Sequence, residues 1–214
     1  MLAVQFKLLI LLCLYSSLAN AFWTGVSLEL GNYDSDWTFD SDTRAAQINT
    51  IDLQIEEKTT SELRVGASIG YIDLRLVADT VAQTKKFDGQ YIGVFLRQPV
   101  RINDRFSLHG LLSFRYASGS ESGTDILNNI DWTESSIQLG LSLRLSSLRI
   151  MPFATYQDID GDISDDAGTA IFEMDEASSR GVRFDYFIED SAFIRLQFIS
   201  GGQAGGYLSF ARRY

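Results

Sequence analysis

Residues 136–145 decide the fold class, and they read Ser-Ile-Gln-Leu-Gly-Leu-Ser-Leu-Arg-Leu. The odd-numbered positions are all Ile or Leu, and the even-numbered positions are Ser, Gln, Gly or Arg. Successive side chains of a β-strand point to opposite faces of the sheet. This stretch therefore predicts a strand with one apolar face and one polar face.

The same alternation recurs along the chain, and no segment has a convincing helical period. Proline cannot donate a hydrogen bond to a β-ladder, so Pro152 predicts a bulge in its strand. Arg212 is out of pattern in the last strand. The ten predicted strands are residues 22–31, 50–56, 63–71, 91–97, 106–116, 136–145, 148–157, 181–188, 192–199 and 207–214.

The connections between these strands alternate in length. Four are long and polar, namely 32–47, 72–89, 117–131 and 158–178. The short ones are 57–61, 98–104, 146–147 and 189–191, together with a Gly-rich link at 200–206. Tight turns at one end and long loops at the other are typical of a transmembrane β-barrel. We expect an all-β, antiparallel up-and-down barrel of ten strands, with eight as the alternative count and both termini at the short-turn end.

The alternation also fits a soluble, lipocalin-like barrel, in which the apolar face would point inward. Three features favour the membrane alternative. The polar faces are rich in Gly and Ser, and 14 of the 18 basic residues are Arg, whose rigid fork suits ion pairs in confined spaces. Aromatic residues also stand at strand ends, where interfacial girdles occur. They are Phe22, Trp23, Tyr71, Tyr116, Trp132, Tyr156 and Tyr214.

Composition excludes several classes of function. The chain has 214 residues with one Cys, one His and a net charge of −10. A disulfide scaffold and a His-clustered metal site are therefore excluded, and a nucleic-acid partner would need a basic surface. We expect no cofactor.

Residues 1–21 resemble a secretory signal peptide. Lys7 precedes an apolar run, and Ala19-Asn20-Ala21 forms a small-x-small cleavage site. The alternative, a single membrane anchor, needs a longer run of roughly 20 apolar residues. The mature chain would then be one barrel domain spanning residues 22–214.

Together these features resemble Gram-negative outer-membrane β-barrel proteins, including the OmpA-like and OmpW-like groups. The final segment, Gly205-Gly206-Tyr207-Leu208-Ser209-Phe210-Ala211-Arg212-Arg213-Tyr214, is similar to the C-terminal signal of that class. Arg212 departs from the signal, because an apolar residue is usual there. The resemblance implies an outer-membrane location and contact with outer-membrane lipid and lipopolysaccharide. It also implies recognition of the last strand by the barrel assembly machinery.

If the polar faces point into the lumen, ten charged side chains meet there. Isolated charges are costly to desolvate, so we expect them to pair. A paired network would either plug the lumen or form a narrow, gated pore. The predicted lumen charges are Glu29, Asp52, Glu56, Arg64, Arg97, Arg115, Arg144, Arg183, Asp185 and Arg195.

Some barrels of this class are enzymes, and His109 is the candidate here. Its parity points it into the lumen, away from lipid, where Ser107 and Ser113 share its face. We expect a lumen histidine and no enzymatic activity. A lipid-modifying enzyme is the less favoured hypothesis.

Residues 158–178 carry eight acidic residues and no basic one. Gly161 and Thr169 stand at positions 4 and 12 of a calcium-like spacing, whereas an EF-hand needs Gly at 6 and Glu at 12. A solvated acidic loop and a divalent-cation site that bridges to lipid phosphates are both open. The oxygen-bearing positions of that spacing are Asp158, Asp160, Asp162, Ser164 and Asp166.

The sequence therefore predicts an outer-membrane barrel with a structural role or a passive, porin-like role for small solutes. The alternative is a surface adhesion or binding module that acts through the long loops, chiefly 32–47 and 158–178.

Overall fold

The computed structural model describes residues 24–39, 42–59, 62–77, 84–122, 128–165 and 168–214. The predicted signal peptide, Phe22, Trp23 and Asp166 lie outside the described residues. Within these ranges no helix is long and apolar enough to cross a membrane. The described chain forms eleven strands: β1 Thr24–Phe39, β2 Asp42–Lys58, β3 Arg64–Val77, β4 Lys85–Arg101, β5 Phe106–Glu121, β6 Asn129–Leu145, β7 Leu148–Asp165, β8 Gly168–Met174, β9 Ser178–Phe187, β10 Ala192–Gly201 and β11 Gln203–Arg213.

Ten of these strands close an antiparallel barrel, as the alternation predicts. The order is β1 to β7, then β9, β10 and β11, and β11 pairs back to β1 from Gly25↔Arg213 to Ser35↔Gln203. The start of β1 and the end of β11 thus lie at the same end of the barrel. We call the ten-stranded part the base.

The other end of the barrel closes with fewer strands. Beyond Tyr156, β7 leaves β9 and pairs with β8, from Asp160↔Glu173 to Asp165↔Gly168. The far side of β8 pairs with β1 at Trp37–Phe39. Strands β1 to β8 therefore form a second closed ring, which we call the extension. Because barrel diameter grows with strand number, the extension is narrower than the base.

The four predicted long loops are largely strand, which corrects the sequence prediction. The barrel wall continues through most of 32–47, 72–89, 117–131 and 158–178, and β8 was not predicted. In 32–39 the alternation persists, but Asp34 and Asp36 occupy the face that carries Leu lower down. Because the polar residues move to the other face here, the sequence pattern predicts that the strand ends.

The bulge predicted at Pro152 is also wrong. The β6–β7 register is the same at Gly140↔Phe153 and at Leu143↔Ile150, and no pair is formed between them. Pro152 points outward and is paired with Val182 of β9. The missing proline N–H interrupts the ladder without shifting it.

The apolar and the polar face of the wall change sides at one level of the barrel. In the base the outward face is an exposed apolar belt, for example Ile69 on β3 and Leu139 on β6. In the extension the outward face is polar and the inward face is apolar. On β6, inward Gln138 lies below the change and inward Trp132 lies above it. Exposed Tyr71, Tyr116 and Tyr156 mark this level on the outside.

The prediction that Trp132 is an interfacial aromatic residue is wrong. It is 5% exposed inside the extension, because it shares the parity of the inward positions Gln138 and Ser142. Tyr214, at the base, is exposed as an interfacial residue would be.

Candidate functional site: the barrel lumen

The lumen has three layers, formed by inward side chains from every strand of the wall. Arginine clusters occupy the base end, a polar layer with amides and a loose ion-pair group lies above them, and an apolar core fills the extension. The wall places these groups because pairing across an antiparallel sheet brings side chains on the same face within contact distance.

Asp185 is the centre of the first cluster. Its carboxylate accepts hydrogen bonds from Arg149 Nε at 2.8 Å and from Arg195 Nε at 2.7 Å, and Arg149 Nη2 makes a further contact. Asp185 is 1% exposed. Its register partners on either side are these two arginines, Arg149 on β7 and Arg195 on β10. One buried carboxylate therefore holds two guanidinium groups.

Glu56 is the centre of the second cluster. Its two carboxylate oxygens bind Arg64 Nη1 at 2.5 Å and Arg97 Nη1 at 2.7 Å. Arg213 Nε lies 3.7 Å from the same carboxylate. Charge-assisted bonds of this kind are about twice as strong as neutral ones. Strands β2, β3 and β4 are thereby tied together near the base end, and Arg213 of β11 adds a longer ion pair.

Arg183 is held differently. Its Nε donates to Gln197 Oε1 at 2.8 Å, and its Nη2 donates to Gln138 Oε1 at 2.9 Å. Its guanidinium also lies over the ring of Phe153. No ion pair to a carboxylate is formed by Arg183 within the described residues. A buried cation is here solvated by neutral amides.

The third group of charges lies in the middle of the lumen. Arg115 approaches Asp52 at 3.8 Å and Glu134 at 3.9 Å, distances too long for hydrogen bonds. Its guanidinium lies 5.1 Å from the centre of the Tyr91 ring. Glu29 accepts a hydrogen bond from Ser209 at 2.6 Å.

The structure places nine of the ten predicted charges inside the barrel. Arg144 is the exception: it lies at the rim of the base, half exposed, 3.9 Å from exposed Asp190. Sequence reasoning missed Glu134, Arg149 and Arg213. The alternation of faces along a strand could have identified all three, because each lies one or two positions from a residue that the sequence assigns to a face.

An apolar core fills the lumen of the extension. Trp37 is fully buried, stacks on Phe172 of β8 with ring centres 4.7 Å apart, and meets Trp132 edge-on at 5.6 Å. The other buried members come from β1 to β8. They are Tyr33, Phe39, Ala46, Ile48, Ile72, Leu74, Leu76, Phe87, Tyr91, Ala117, Ile130, Ile159, Ile163 and Met174.

His109 lies inside the base, and its Nε2 is 2.8 Å from Ser142 Oγ. The sequence places Ser107 and Ser113 on the same face as His109. The structure pairs His109 with Ser142 on β6, which lies two residues beyond Gly140, the register partner of His109.

The acidic segment 158–178 does not form a loop whose carboxylates surround one cation, because most of it belongs to strands β7 and β8. Asp158, Asp160 and Asp162 belong to strand β7 and share its outward face. Alternate residues of a strand are separated by about 6.6 Å, so these carboxylates do not converge. Among the residues that the structure describes, no three His, Cys, Asp or Glu side chains form a metal-binding group.

Comparisons with known proteins agree with this fold. No protein-family model matches the sequence, and no curated protein matches it. Among solved structures, the chain is similar to the translocator domain of the autotransporter NalP from Neisseria meningitidis, with 14% identity and a TM-score of 0.50, covering 99% of this chain and 96% of that one. It is also similar to the β-domain of the Bordetella autotransporter BrkA (10%, TM-score 0.49, 89% and 98%). A third is the outer membrane protease OmpT from Escherichia coli (9%, TM-score 0.47, 91% and 95%). At these identities the likeness shows the fold alone, which is that of the outer-membrane β-barrels.

Proposed function

We propose that this protein is an integral outer-membrane barrel that does not conduct and that presents a folded β-extension at the cell surface. Residues 1–21 would direct export and be removed. The observation that carries the proposal is the exchange of polar and apolar faces at a single level of the wall. Below that level the wall suits lipid outside, and above it the wall suits water outside.

The outward belt of the base supports the membrane assignment. Large apolar side chains cover the base on every strand, including Ile51, Ile92 and Leu139, each about half exposed. Soluble monomers rarely expose contiguous apolar patches beyond a few hundred Å². Hydrocarbon removes this cost, and ring closure leaves no backbone group unpaired within it.

The apolar core of the extension supports a closed lumen. An ion that crossed the barrel would have to pass between Trp37, Phe172 and Trp132, which are packed in ring contact. Leaving water for an apolar interior costs an ion several kcal/mol or more. The base lumen is therefore a compartment that opens only toward the periplasm in this proposal.

The test is single-channel recording of the refolded mature protein in a planar bilayer. We expect inserted wild-type protein to give no discrete current steps. The double variant Trp37→Ala/Phe172→Ala removes the central ring stack and should give steps. Phe114→Ala, a belt residue that faces outward, is the matched control and should stay silent. Reproducible steps from the wild type would overturn the proposal.

A surface-binding role is the second candidate, favoured by the charge of the extension. Its outward face carries carboxylates just above the tyrosine level, where divalent cations would bridge them to lipopolysaccharide phosphates and where soluble partners would meet them. They are Asp34, Asp36, Asp73, Asp88, Asp131, Asp158, Asp160, Asp162 and Glu173. A lipid-modifying enzyme gains no support from His109, whose hydrogen bond to Ser142 lies on the lumen side of the wall.

A further inference from the structure

The base end of the lumen holds a small cavity with an unusual lining. Its volume is about 60 Å³, room for about four water molecules. One carboxylate, that of Asp185, lines it together with His109. All its other charged lining residues are arginines: Arg64, Arg97, Arg149, Arg183, Arg195 and Arg213.

The charges around this cavity do not balance. Glu56 contacts three of the six arginines from behind the lining, and Asp185 contacts two others. Two carboxylates thus face six guanidinium groups, an excess of four positive charges. Glu29, a further carboxylate of the lumen, lines the polar cavity above, which Arg97, Arg183 and Arg195 also line. Buried cations without counter-charges are costly, so this excess favours a bound anion.

Several donors at the cavity are unused. The Nε groups of Arg97 and Arg213 are buried without a hydrogen-bond partner among the described residues. Arg183 has amide partners only. These donors come from β4, β9 and β11, so they approach the cavity from different sides of the barrel.

The cavity is reached from the base end. The side chains of Arg64, Arg149 and Arg213 keep 14%, 18% and 21% of their surface exposed. Toward the extension, the route ends at the apolar core. A solute would therefore enter and leave at the end where β1 begins and β11 ends.

We propose that the base cavity is a binding site for a small oxyanion of the size and charge of inorganic phosphate, held by Arg97, Arg183 and Arg213. Guanidinium forks match the oxygens of phosphate in pairs, which a single-point cation such as Lys would not do. The site goes beyond the proposed membrane role and does not depend on it, because an anion can bind to a barrel that never conducts.

The test is calorimetric titration of inorganic phosphate into refolded protein in a neutral maltoside detergent at low ionic strength. We expect saturable binding with one site per chain. Arg183→Gln should weaken phosphate binding at least tenfold, and Arg213→Gln should do the same. Arg144→Gln removes an arginine from the rim of the same end and should change the affinity less than twofold.

Arg213 is the penultimate residue, so its variant reports on the site even if Arg183→Gln does not fold. Chloride added at the same ionic strength should compete at least tenfold less well than phosphate. The absence of wild-type binding would overturn the proposal. So would equal affinities in all three variants, or equal competition by chloride, because each would mean that the charge attracts anions without forming a site.

Discussion

At the scale of single residues, Asp185 is a buried carboxylate that holds two arginines of the base. It lies between Arg149 and Arg195 and is almost fully buried. Breaking a buried pair by removing one partner is far more costly than replacing both, because the remaining charge stays desolvated. Two such charges would remain here.

We expect Asp185→Ala to lower the free energy of unfolding by about 3–5 kcal/mol. Arg144→Ala, which breaks an exposed contact with Asp190, should change it by less than about 1 kcal/mol. Urea titration of the protein in lipid vesicles, followed by tryptophan fluorescence, measures both. Equal effects would mean that the buried cluster contributes no more than a surface pair.

Strand parity alone predicts which way most charged residues point, but not which of them meet. The sequence prediction leaves out Glu134 because the predicted strand begins at residue 136. The same alternation, continued toward the N-terminus, places Glu134 on the inward face. Parity predicts that Arg144 points inward, but it stands so near the strand end that its side chain leaves the lumen. The Arg183 contacts with Gln138 and Gln197 join three strands, and no local pattern indicates that.

At the scale of elements, the turn between β10 and β11 shows how the ten-stranded base gives way to the extension. Gly201 has φ of +116°, and Gly202 donates its N–H to Ser178 O at 2.8 Å. A Cβ on Gly202 would lie 1.7 Å from the Glu176 carbonyl oxygen. The turn is tucked against the chain leaving β8, where only glycine fits.

We expect Gly202→Ala to cost about 1–3 kcal/mol, because the backbone of one segment must move away. Gly110→Ala is the control, since the nearest atom to its added Cβ is 3.9 Å away, and it should stay within about 0.5 kcal/mol. The same urea titration compares them. A neutral Gly202→Ala would mean that this turn is free to separate from β8.

Strand β8 illustrates why element boundaries were missed. Its sequence, Gly-Thr-Ala-Ile-Phe-Glu-Met, lies in a stretch read as an acidic loop, and only Phe172 and Met174 point into the core. Two inward apolar residues are too few to reveal a period of two. The strand exists because β7 and β1 offer it a partner on each side.

At the scale of the whole molecule, the stability of the wall should depend on the height at which one charge is placed on the same strand. Leu141 and Asn129 both face outward on β6, Leu141 in the apolar belt and Asn129 in the extension. The two positions share the same strand geometry, so depth in the bilayer should decide how much the added charge lowers stability.

We expect Leu141→Arg to destabilise the folded protein in lipid vesicles by about 2–4 kcal/mol. Asn129→Arg, in water above the membrane, should change stability by less than about 0.5 kcal/mol. Folding titrations in vesicles of defined thickness measure the pair. A cost at Asn129 equal to that at Leu141 would contradict the assignment of the belt to lipid.

The class of the fold was predictable because ten alternating segments and paired connections depend only on local sequence. The extension was not, because there the apolar face turns inward as in a soluble barrel. Trp37 and Trp132 share the parity of lumen positions, so a sequence pattern that assumes one polarity for the whole wall must end where the two environments meet.

The second ring has a consequence for the order of assembly. It closes through β1 and β8, so every strand that it needs is complete by Met174. A chain that emerges from its N-terminus can therefore bury its largest aromatic side chains while the last forty residues are still being delivered. The pairings β7–β9, β9–β10 and β10–β11, and the seam between β11 and β1, then remain to be formed. The aromatic core of the extension is thus hidden first, and the lipid-facing base is completed below a part that is already folded.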